Sequence, residues 1–335
     1  MSCKPIIGIT MGDPAGIGPE VVVKAVTDRR AAGGCHPIIL GSYHVVSSAA
    51  RKFVKGSKVR RIVWPEDANI SGGGISVLDC TRSDHRRIKT GKVTKLSGRM
   101  AADSVFCAVG LALSGRIDAL VTAPLSKKGL RLAGFDFPGH TELLAYLTAT
   151  SSYAMMFVSP HHKVVLVTTH LPLAEVARSI SKRVILDKLA VTQTALQTYF
   201  GKKRPKIGVC ALNPHSGEEG ILGGEERRII VPAVKAARRK RMRVDGPFPS
   251  DTIFSPSVSG NFDCILAMYH DQGLIPLKMR GLGQAVNVTI GLPIIRTSPD
   301  FGTALDIAGK GVADHKGIVN AIQLAARMAR ETKKR

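Results

Sequence analysis

The sequence has few acidic and few aromatic residues. Its 335 residues include 25 Asp and Glu against 48 Lys and Arg, which gives a formal net charge of +23 at pH 7. Aromatic residues make up 5% of the chain, and Trp64 is its single tryptophan. The scarcity of aromatic rings argues against a stacking surface for single-stranded nucleic acid. The positive charge predicts a solvated basic surface that attracts anionic substrates, and we expect no specific nucleic-acid partner.

The sequence also lacks the patterns of secreted and membrane proteins. No Cys-x-x-Cys spacing occurs among the six cysteines, which indicates reduced thiols in a cytoplasmic protein. The N-terminus shows no signal-peptide layout. No apolar run reaches the roughly 18 residues that a membrane-spanning helix needs, so we expect no membrane association.

What the sequence contains is an alternation of strand-like apolar runs with helix-like segments. Hydrophobic residues make up 44% of the chain, which is enough for a sizeable core. Strands are predicted at residues 6–10, 38–40, 119–122, 164–167, 207–212 and 264–268, and helices at residues 42–53, 101–113, 184–199, 225–239 and 316–330. This alternation predicts an α/β fold with a mostly parallel sheet. We expect one catalytic unit over residues 1–335, made of two interleaved α/β lobes with a cleft between them.

Three histidines each follow a run that is typical of a buried strand. They are His170, His215 and His270. The carboxyl ends of parallel strands form the edge at which α/β enzymes bind ligands, and three protein ligands with one open position are typical of a catalytic metal. Imidazole suits Zn²⁺ better than Mg²⁺, and Asp251 and Asp271 are carboxylates that could orient the rings. The alternative is that each histidine is an ordinary loop or core residue.

Five further residues indicate the binding of a phosphate or carboxylate. They are His140, Thr141, Lys278, Asn287 and Arg296. The first two open a predicted helix, where free backbone N–H groups favour an anion. Lys278 and Arg296 could clamp a phosphate, the arginine in forked geometry. The alternative for Thr141 is ordinary capping of the helix.

Two glycine-rich turns invite comparison with nucleotide-binding loops. Residues 12–20 follow the first strand, but their glycine spacing does not match a Rossmann fingerprint, and no Gly-Lys-Ser/Thr follows for a P-loop. Residues 302–311 form a small-residue loop that would allow close backbone approach to a dinucleotide. A plain turn is the alternative for the first, and a helix cap and turn for the second.

The motifs together resemble those of the 4-hydroxythreonine-4-phosphate dehydrogenase family of vitamin B6 biosynthesis, over nearly the whole chain. They are GITMGDP at residues 8–14, PGHTE at 138–142, THLP at 169–172, NPHSGE at 213–218, YHDQG at 269–273 and IRTS at 295–298. The resemblance implies an α/β/α isocitrate/isopropylmalate-dehydrogenase-like fold. It also implies a homodimer whose active site lies at the subunit interface, with metal ligands from both chains.

The resemblance assigns roles to the candidate residues. The metal ligands are His170, His215 and His270, for one divalent ion per site, with Zn²⁺ preferred and Mg²⁺ or Co²⁺ as alternatives. The substrate-binding residues are His140, Thr141, Lys278, Asn287 and Arg296. The candidate residues for NAD or NADP are Gly302, Thr303, Asp306, Ala308 and Gly309, and the candidate catalytic residues are Lys278 and Asp251.

The implied reaction is oxidation of 4-phosphohydroxy-L-threonine by NAD(P)⁺ and loss of CO₂, which yields 3-amino-2-oxopropyl phosphate for pyridoxal phosphate synthesis. Two departures leave alternatives open. Phe301 stands where the family commonly has histidine, which affects the expected cofactor contacts. Residues 278–285 resemble a sister branch that acts on D-threonate or D-erythronate 4-phosphate. An alternative of another class is a catalytically silent, basic protein associated with nucleic acid.

Overall fold

The computed structural model describes residues 4–70, 74–81, 83, 85–279 and 283–334; Cys3 and residues 280–282 of the sister-branch motif lie outside these ranges. The strands are β1 (Ile6–Thr10), β2 (His36–Gly41), β3 (Val59–Ile62), β4 (Ile75–Asp79), β5 (Ala119–Thr122), β6 (Ala154–Val158), β7 (Lys163–Leu166), β8 (Lys206–Cys210), β9 (Arg243–Phe248), β10 (Cys264–Ala267), β11 (Val286–Ile290) and β12 (Arg296–Pro299).

Helices follow most of the strands. They are α1 (Gly18–Thr27), α2 (Arg29–Ala32), α3 (Tyr43–Phe53), α4 (Lys95–Leu113), α5 (Lys127–Leu132), α6 (His140–Leu147), α7 (Leu173–Ser179), α8 (Lys182–Phe200), α9 (Val231–Arg239), α10 (Ser250–Ile253), α11 (Pro256–Ser259), α12 (His270–Met279) and α13 (Lys316–Lys333). Short 3₁₀ turns occur at Pro65–Ile70, His85–Arg87 and Pro214–Gly220, and a π-helical turn at Glu226–Ile230 precedes α9.

The chain forms two compact units. One comprises Met1–Thr150 with Leu292–Arg335, and the other comprises Ser151–Gly291. In the first unit the strand order is β3-β4-β2-β1-β5-β12, and these neighbouring strands run parallel. Strands β1, β2 and β5 are almost continuously apolar and buried, as strands of a parallel sheet covered on both faces are. Helix α4 packs on these three strands, while α13 packs on β12 and β5.

In the second unit the strand order is β11-β6-β7-β10-β8-β9. Strands β7, β10, β8 and β9 are parallel, and β6 is antiparallel to both β7 and β11. A buried cluster that includes Phe157, Leu166, Ile265 and Leu274 joins this sheet to α12. The prediction of an α/β fold with a mostly parallel sheet is confirmed, but the sequence analysis did not predict the antiparallel strands.

Helix α4 differs most from its prediction. It begins at Lys95 rather than residue 101, because Thr94 and Ser97 form a capping box: Ser97 N donates to Thr94 Oγ1 at 3.0 Å and Thr94 N donates to Ser97 Oγ at 3.1 Å. By length and composition α4 could cross a membrane, although it is not a continuous apolar run, because it contains Lys95, Arg99 and Asp103. Half of that window is buried inside the protein, as in the core helix of a globular protein.

Candidate functional site

The second unit places its three candidate metal ligands beyond the ends of neighbouring strands. His170, His270 and His215 follow β7, β10 and β8, which are adjacent and parallel in that order. Thr168 Oγ1 donates to the carbonyl oxygen of Met268 at 2.8 Å, which joins the ends of β7 and β10. The histidines therefore lie along one carboxyl edge of the sheet.

His170 and His270 lie close together. Their ring centroids are 5.8 Å apart, with the ring planes inclined by 45°. His270 Nδ1 lies 2.7 Å from Asp271 Oδ1, so Nε2 is the ring nitrogen that can coordinate a metal. His270 is the first residue of α12, so its position is fixed by a helix.

His215 lies in an unusual turn. The backbone from His215 to Glu219 is left-handed, with φ values between 40° and 80°, and Gly217 is the single glycine among these five residues. Each non-glycine residue in this conformation costs roughly 1–2 kcal/mol. A turn of this kind persists only where surrounding contacts hold it, and it exposes the His215 side chain.

Glu226 is the residue that holds the base of this turn. Its carboxylate is buried and accepts hydrogen bonds from Leu212 N at 2.8 Å, from Asn213 N at 2.7 Å and from Asn213 Nδ2 at 3.0 Å. A Cβ atom on Gly217 would meet Glu226 Oε2 at 2.6 Å, so glycine is needed for this close approach. The sequence analysis missed Glu226, because it assigned the residue to an ordinary helix.

Gln272 connects three segments of the same edge. Its Nε2 donates to the Ala211 carbonyl oxygen and to Ser250 Oγ, both at 2.7 Å, and its Oε1 accepts from Met268 N at 2.6 Å. The side chain is buried. Gln272 therefore fixes the ends of β8 and β10 relative to the start of α10. The sequence analysis noted Gln272 as part of a motif but gave it no role.

The donor set in one chain fits part of a metal site. Two imidazoles lie close together, and one of them is oriented by a carboxylate, which is the arrangement that metal-binding histidines use. Within the described residues, no group of three or more His, Cys, Asp and Glu side chains is close enough to hold a metal ion. His215 is not brought to the other two histidines within one chain.

The remaining candidates of the second unit are spread along its edge. Asp251 is exposed on α10, and the described contact of its carboxylate is with the Thr252 hydroxyl at 3.3 Å. Lys278 lies half-buried in the last turn of α12. Asn287 is on β11, and its buried Oδ1 has no hydrogen-bond partner within the described residues. An unsatisfied buried acceptor of this kind is suited to a ligand donor.

The first unit contains a buried arginine beside the predicted anion site. Arg296 begins β12 and is 2% exposed, and its Nε and Nη2 atoms donate to Thr122 Oγ1 of β5 at 3.1 and 2.7 Å. Burial lowers the pKa of Arg296 to about 10, and this effect exceeds the opposing influence of Glu142. The guanidinium is thus held in a place where a second negative charge would stabilise it. The sequence analysis gave no role to Thr122 or to Glu142, although Glu142 belongs to the PGHTE motif.

His140 is the first residue of α6. Its Nε2 is buried and has no hydrogen-bond partner within the described residues. Burial, and secondarily the positive charge of Arg296, holds the pKa of His140 well below its usual value, so the imidazole is neutral at pH 7. A neutral imidazole can donate a hydrogen bond to an anion without bringing a second buried positive charge next to Arg296.

Thr141 is not the cap of this helix. The N-cap position is Gly139, and no side chain caps α6, which leaves the first backbone N–H groups free. Thr141 is buried in the first turn. The capping alternative for Thr141 is therefore wrong, while the combination of a helix N-terminus with Arg296 fits an anion.

The predicted cofactor loop borders a cavity in the first unit. The cavity has a volume of about 260 Å³ and is lined by Gly309 together with residues that include Glu20, His44, Lys52 and Thr90. Gly309 is left-handed, with φ of 76°. The volume suits part of a dinucleotide, and the lining offers both polar and apolar groups.

The other four cofactor candidates lie in the same loop without lining this cavity. They are Gly302, Thr303, Asp306 and Ala308. The Thr303 carbonyl accepts from Ile17 N at 3.0 Å, and a Cβ atom on Gly16 would meet that oxygen at 2.7 Å. The turn at residues 12–20 therefore supports the loop by close packing.

Phe301 packs against the start of α13. A Cβ atom on Gly317 would lie 2.7 Å from the Phe301 ring and 3.2 Å from Pro299 Cβ. The phenyl ring thus has an apolar packing role at the position where a histidine was expected.

Comparisons with known proteins agree over nearly the whole chain. The model of a family described as pyridoxal phosphate biosynthetic protein PdxA matches residues 33–325. A 4-hydroxythreonine-4-phosphate dehydrogenase of Desulforapulum autotrophicum is 43% identical over 326 residues, which cover 97% of this chain and 96% of the relative. A D-threonate 4-phosphate dehydrogenase of Cupriavidus necator is also 43% identical over 326 residues, which cover 97% of each chain. The crystal structure of 4-hydroxythreonine-4-phosphate dehydrogenase from Klebsiella pneumoniae superposes with a TM-score of 0.91 at 41% identity, covering 97% of this chain and 100% of that one.

Proposed function

Because the chain belongs to the family of the pyridoxal phosphate biosynthetic protein PdxA, we propose that it oxidises a phosphorylated hydroxy acid with NAD or NADP and a divalent metal. The family resemblance predicted from the motifs is confirmed, as is the α/β/α fold class. The similar proteins are named as dehydrogenases, so the chain is an oxidoreductase. The substrate, the cofactor, the metal and a cytoplasmic location belong to the proposal.

The observation that carries the proposal is the buried pair of Arg296 and His140. A phosphate at the N-terminus of α6 would accept hydrogen bonds from the guanidinium and from the free backbone N–H groups. The neutral imidazole would add a donor. These contacts hold a group remote from the reacting carbon, so they contribute by positioning the substrate.

The metal would be held by His170, His215 and His270. A bound Zn²⁺, or Mg²⁺ or Co²⁺ in its place, lowers the pKa of a substrate hydroxyl and polarises the carbonyl that forms. The orientation of His270 by Asp271 supports this role. Lys278 would hold the substrate carboxylate or transfer a proton, and Asp251 would act as a carboxylate near the metal.

The reaction proposed is the oxidation of a secondary alcohol. The alcohol carbon gives a hydride to NAD(P)⁺, the hydroxyl gives up its proton, and the resulting β-keto acid loses CO₂. The loop at residues 302–311 would bind the cofactor, with Gly309 at the cavity. For 4-phosphohydroxy-L-threonine the product would be 3-amino-2-oxopropyl phosphate.

The second candidate substrate is D-threonate or D-erythronate 4-phosphate. The chain is 43% identical both to a 4-hydroxythreonine-4-phosphate dehydrogenase and to a D-threonate 4-phosphate dehydrogenase, so the sequence identities support the two candidate substrates equally. The decisive assay measures NADH formation with each phosphorylated acid under saturating NAD and metal. Turnover of 4-phosphohydroxy-L-threonine supports the pyridoxal phosphate assignment, and turnover of the sugar-acid phosphate alone contradicts it.

A homodimer is proposed because each chain leaves two of the three predicted metal ligands exposed. His170 and His215 are exposed, and large apolar side chains near the three histidines in sequence are exposed as well. These apolar residues are Leu171, Leu173, Ile221, Ile275 and Met279. Exposed apolar residues of this kind are typical of an interface between subunits. Light scattering that gives a monomer mass at micromolar concentration would contradict the proposal.

The metal assignment has its own test. We expect His215→Ala to lose bound Zn²⁺ and activity while the fold is kept, as judged by metal analysis and circular dichroism. An unchanged metal content would remove His215 from the site. Absence of NADH formation with any metal, combined with salt-sensitive binding of duplex DNA, would favour the alternative of a silent, nucleic-acid-associated protein.

A further inference from the structure

Two cysteines of the first unit lie in contact. Cys80 directly follows β4, and its backbone N–H donates to the Gly41 carbonyl at 3.1 Å, while Cys107 lies on α4. Their Sγ atoms are 2.7 Å apart. This separation is shorter than an ordinary van der Waals contact between two sulfur atoms, and it is only about 0.7 Å longer than a disulfide bond of about 2.0 Å. The packing of β4 against α4 therefore holds the pair nearly in bonding position.

The pair differs from the other described cysteines. Cys35, Cys210 and Cys264 are buried, and burial raises the pKa of each of these thiols, to about 12 for Cys35 and Cys264. Such thiols are poor nucleophiles. Cys80 and Cys107 are both half-buried, so a small oxidant can reach them.

The two thiols also have different acidities. The hydrogen bond from the Cys80 thiol lowers the pKa of Cys107, in opposition to burial. The same interaction, with burial, raises the pKa of Cys80. Cys107 is the acceptor sulfur of this contact, and the adjacent Cys80 sulfur is placed to react with an oxidised form of Cys107.

We propose that Cys80 and Cys107 form a reversible disulfide when the protein meets hydrogen peroxide. The Cys107 thiolate attacks a peroxide oxygen, the O–O bond breaks, and the sulfur becomes a sulfenic acid with release of water after protonation. The Cys80 sulfur then attacks the sulfenic sulfur, the S–S bond forms, and a second water leaves. Two thiols and one H₂O₂ thus give one disulfide and two waters, and a dithiol reductant reverses the change.

The cross-link would close a loop that borders the candidate cofactor cavity. The enclosed residues 81–106 include Ile88 and Thr90, which line that cavity. The Gly91 N–H in the same segment donates to the Ala15 carbonyl at 2.7 Å. A disulfide would restrict the movement of this segment and so alter the binding of a ligand in the cavity. This consequence rests on the proposed NAD site, whereas formation of the disulfide does not.

The test uses the purified full-length protein, first reduced and desalted, then treated with hydrogen peroxide. We expect the intact mass to fall by two hydrogens and a non-reducing peptide map to show Cys80 linked to Cys107. Dithiothreitol should restore the original mass. Cys80→Ser and Cys107→Ser should each abolish the linked peptide, and Cys35→Ser, the matched control, should leave it in place.

Two results would overturn the proposal. One is a map in which Cys107 goes to sulfinic acid while Cys80 remains a thiol, and the other is a peroxide-induced link that survives Cys80→Ser. The coupling to the cavity is measured separately, by calorimetry of NAD with the oxidised and the reduced protein. An unchanged dissociation constant would refute the coupling and leave the cross-link standing, whereas absence of NAD binding to either form would count against the proposed cofactor site.

Discussion

Replacement of Arg296 by methionine should weaken substrate binding without lowering the free energy of unfolding. The guanidinium is buried and donates to Thr122 Oγ1, and burial lowers its pKa from 12.5 to about 10. Both the folded and the unfolded protein carry this charge at pH 7, so the lowered pKa means that folding disfavours the charged form. At about 1.4 kcal/mol per pKa unit, the cost is roughly 3 kcal/mol.

Arg296→Met would remove this cost but leave the Thr122 hydroxyl without its described partner, which costs about 1–3 kcal/mol. The free energy of unfolding should therefore stay the same or rise by up to about 2 kcal/mol. Binding of the phosphorylated substrate should weaken, because each hydrogen bond to a charged group contributes about 1.5–3 kcal/mol. Loss of one such bond raises KM by roughly 10- to 150-fold.

The measurement combines urea unfolding with steady-state kinetics, in which KM for the substrate is determined at saturating NAD and KM for NAD at saturating substrate. Arg296→Lys is the matched variant, since it keeps a positive charge but loses the forked geometry. Its KM for the substrate should lie between those of the wild type and Arg296→Met. An equal rise in KM for NAD, or an unchanged KM for the substrate, would refute the role of Arg296 in phosphate binding.

Three other perturbations test different parts of the protein. Because the pKa of His140 is lowered in the folded protein, the unfolded chain takes up a proton below pH 6.5 that the folded chain does not. The free energy of unfolding should therefore fall by up to about 1.4 kcal/mol per pH unit in acid. Urea unfolding between pH 7 and pH 5 should show that His140→Gln lacks this pH-dependent component. Glu226→Gln replaces an acceptor of three hydrogen bonds and should weaken Zn²⁺ binding by about tenfold or more in calorimetry. Unaltered Zn²⁺ binding would show that Glu226 does not position His215. Gly317→Ala should displace Phe301 and raise the dissociation constant for NAD, while Gly110→Ala, in open space on α4, should stabilise the helix by about 1 kcal/mol and leave NAD binding unchanged.

Much of the fold could be predicted from local sequence patterns. Strands β1 and β5 begin and end where the apolar runs predict. Strands β7 and β8 differ from their predictions by one or two residues at both ends, and β10 differs by one residue at its end. These runs are apolar because they are buried on both faces, so the pattern and the structure have one cause. The pairing of β11 with β6 could not be predicted in the same way, since it joins residues about 130 positions apart in the sequence. Strand β6 also pairs with β7 in a local hairpin, with Met156 opposite Val165, and the sequence analysis missed this short-range pairing.

The candidate site was predictable in its residue types but not in its geometry. The strand-end histidines could be found because a polar residue that directly follows an apolar, strand-like run is recognisable in the sequence. The support given by Glu226 and Gln272 could not, because each side chain bonds to backbone groups of segments that are distant in sequence. The left-handed turn at His215 was equally hidden, since four of its five residues do not favour that conformation.

Three of the predicted site residues lie in settings that the sequence pattern did not reveal. Arg296 is charged and buried, His140 has a buried nitrogen without a partner, and His215 lies in a strained turn. Each arrangement is unfavourable in the isolated chain, and each becomes favourable if an anion or a metal ion supplies the missing interaction. Local propensities describe the chain without its ligands, so they are expected to fail at these positions. The same reasoning explains why Arg296→Met should combine weaker substrate binding with undiminished stability. The charge is maintained at a cost to the fold, and the phosphate of the proposed substrate would offset that cost.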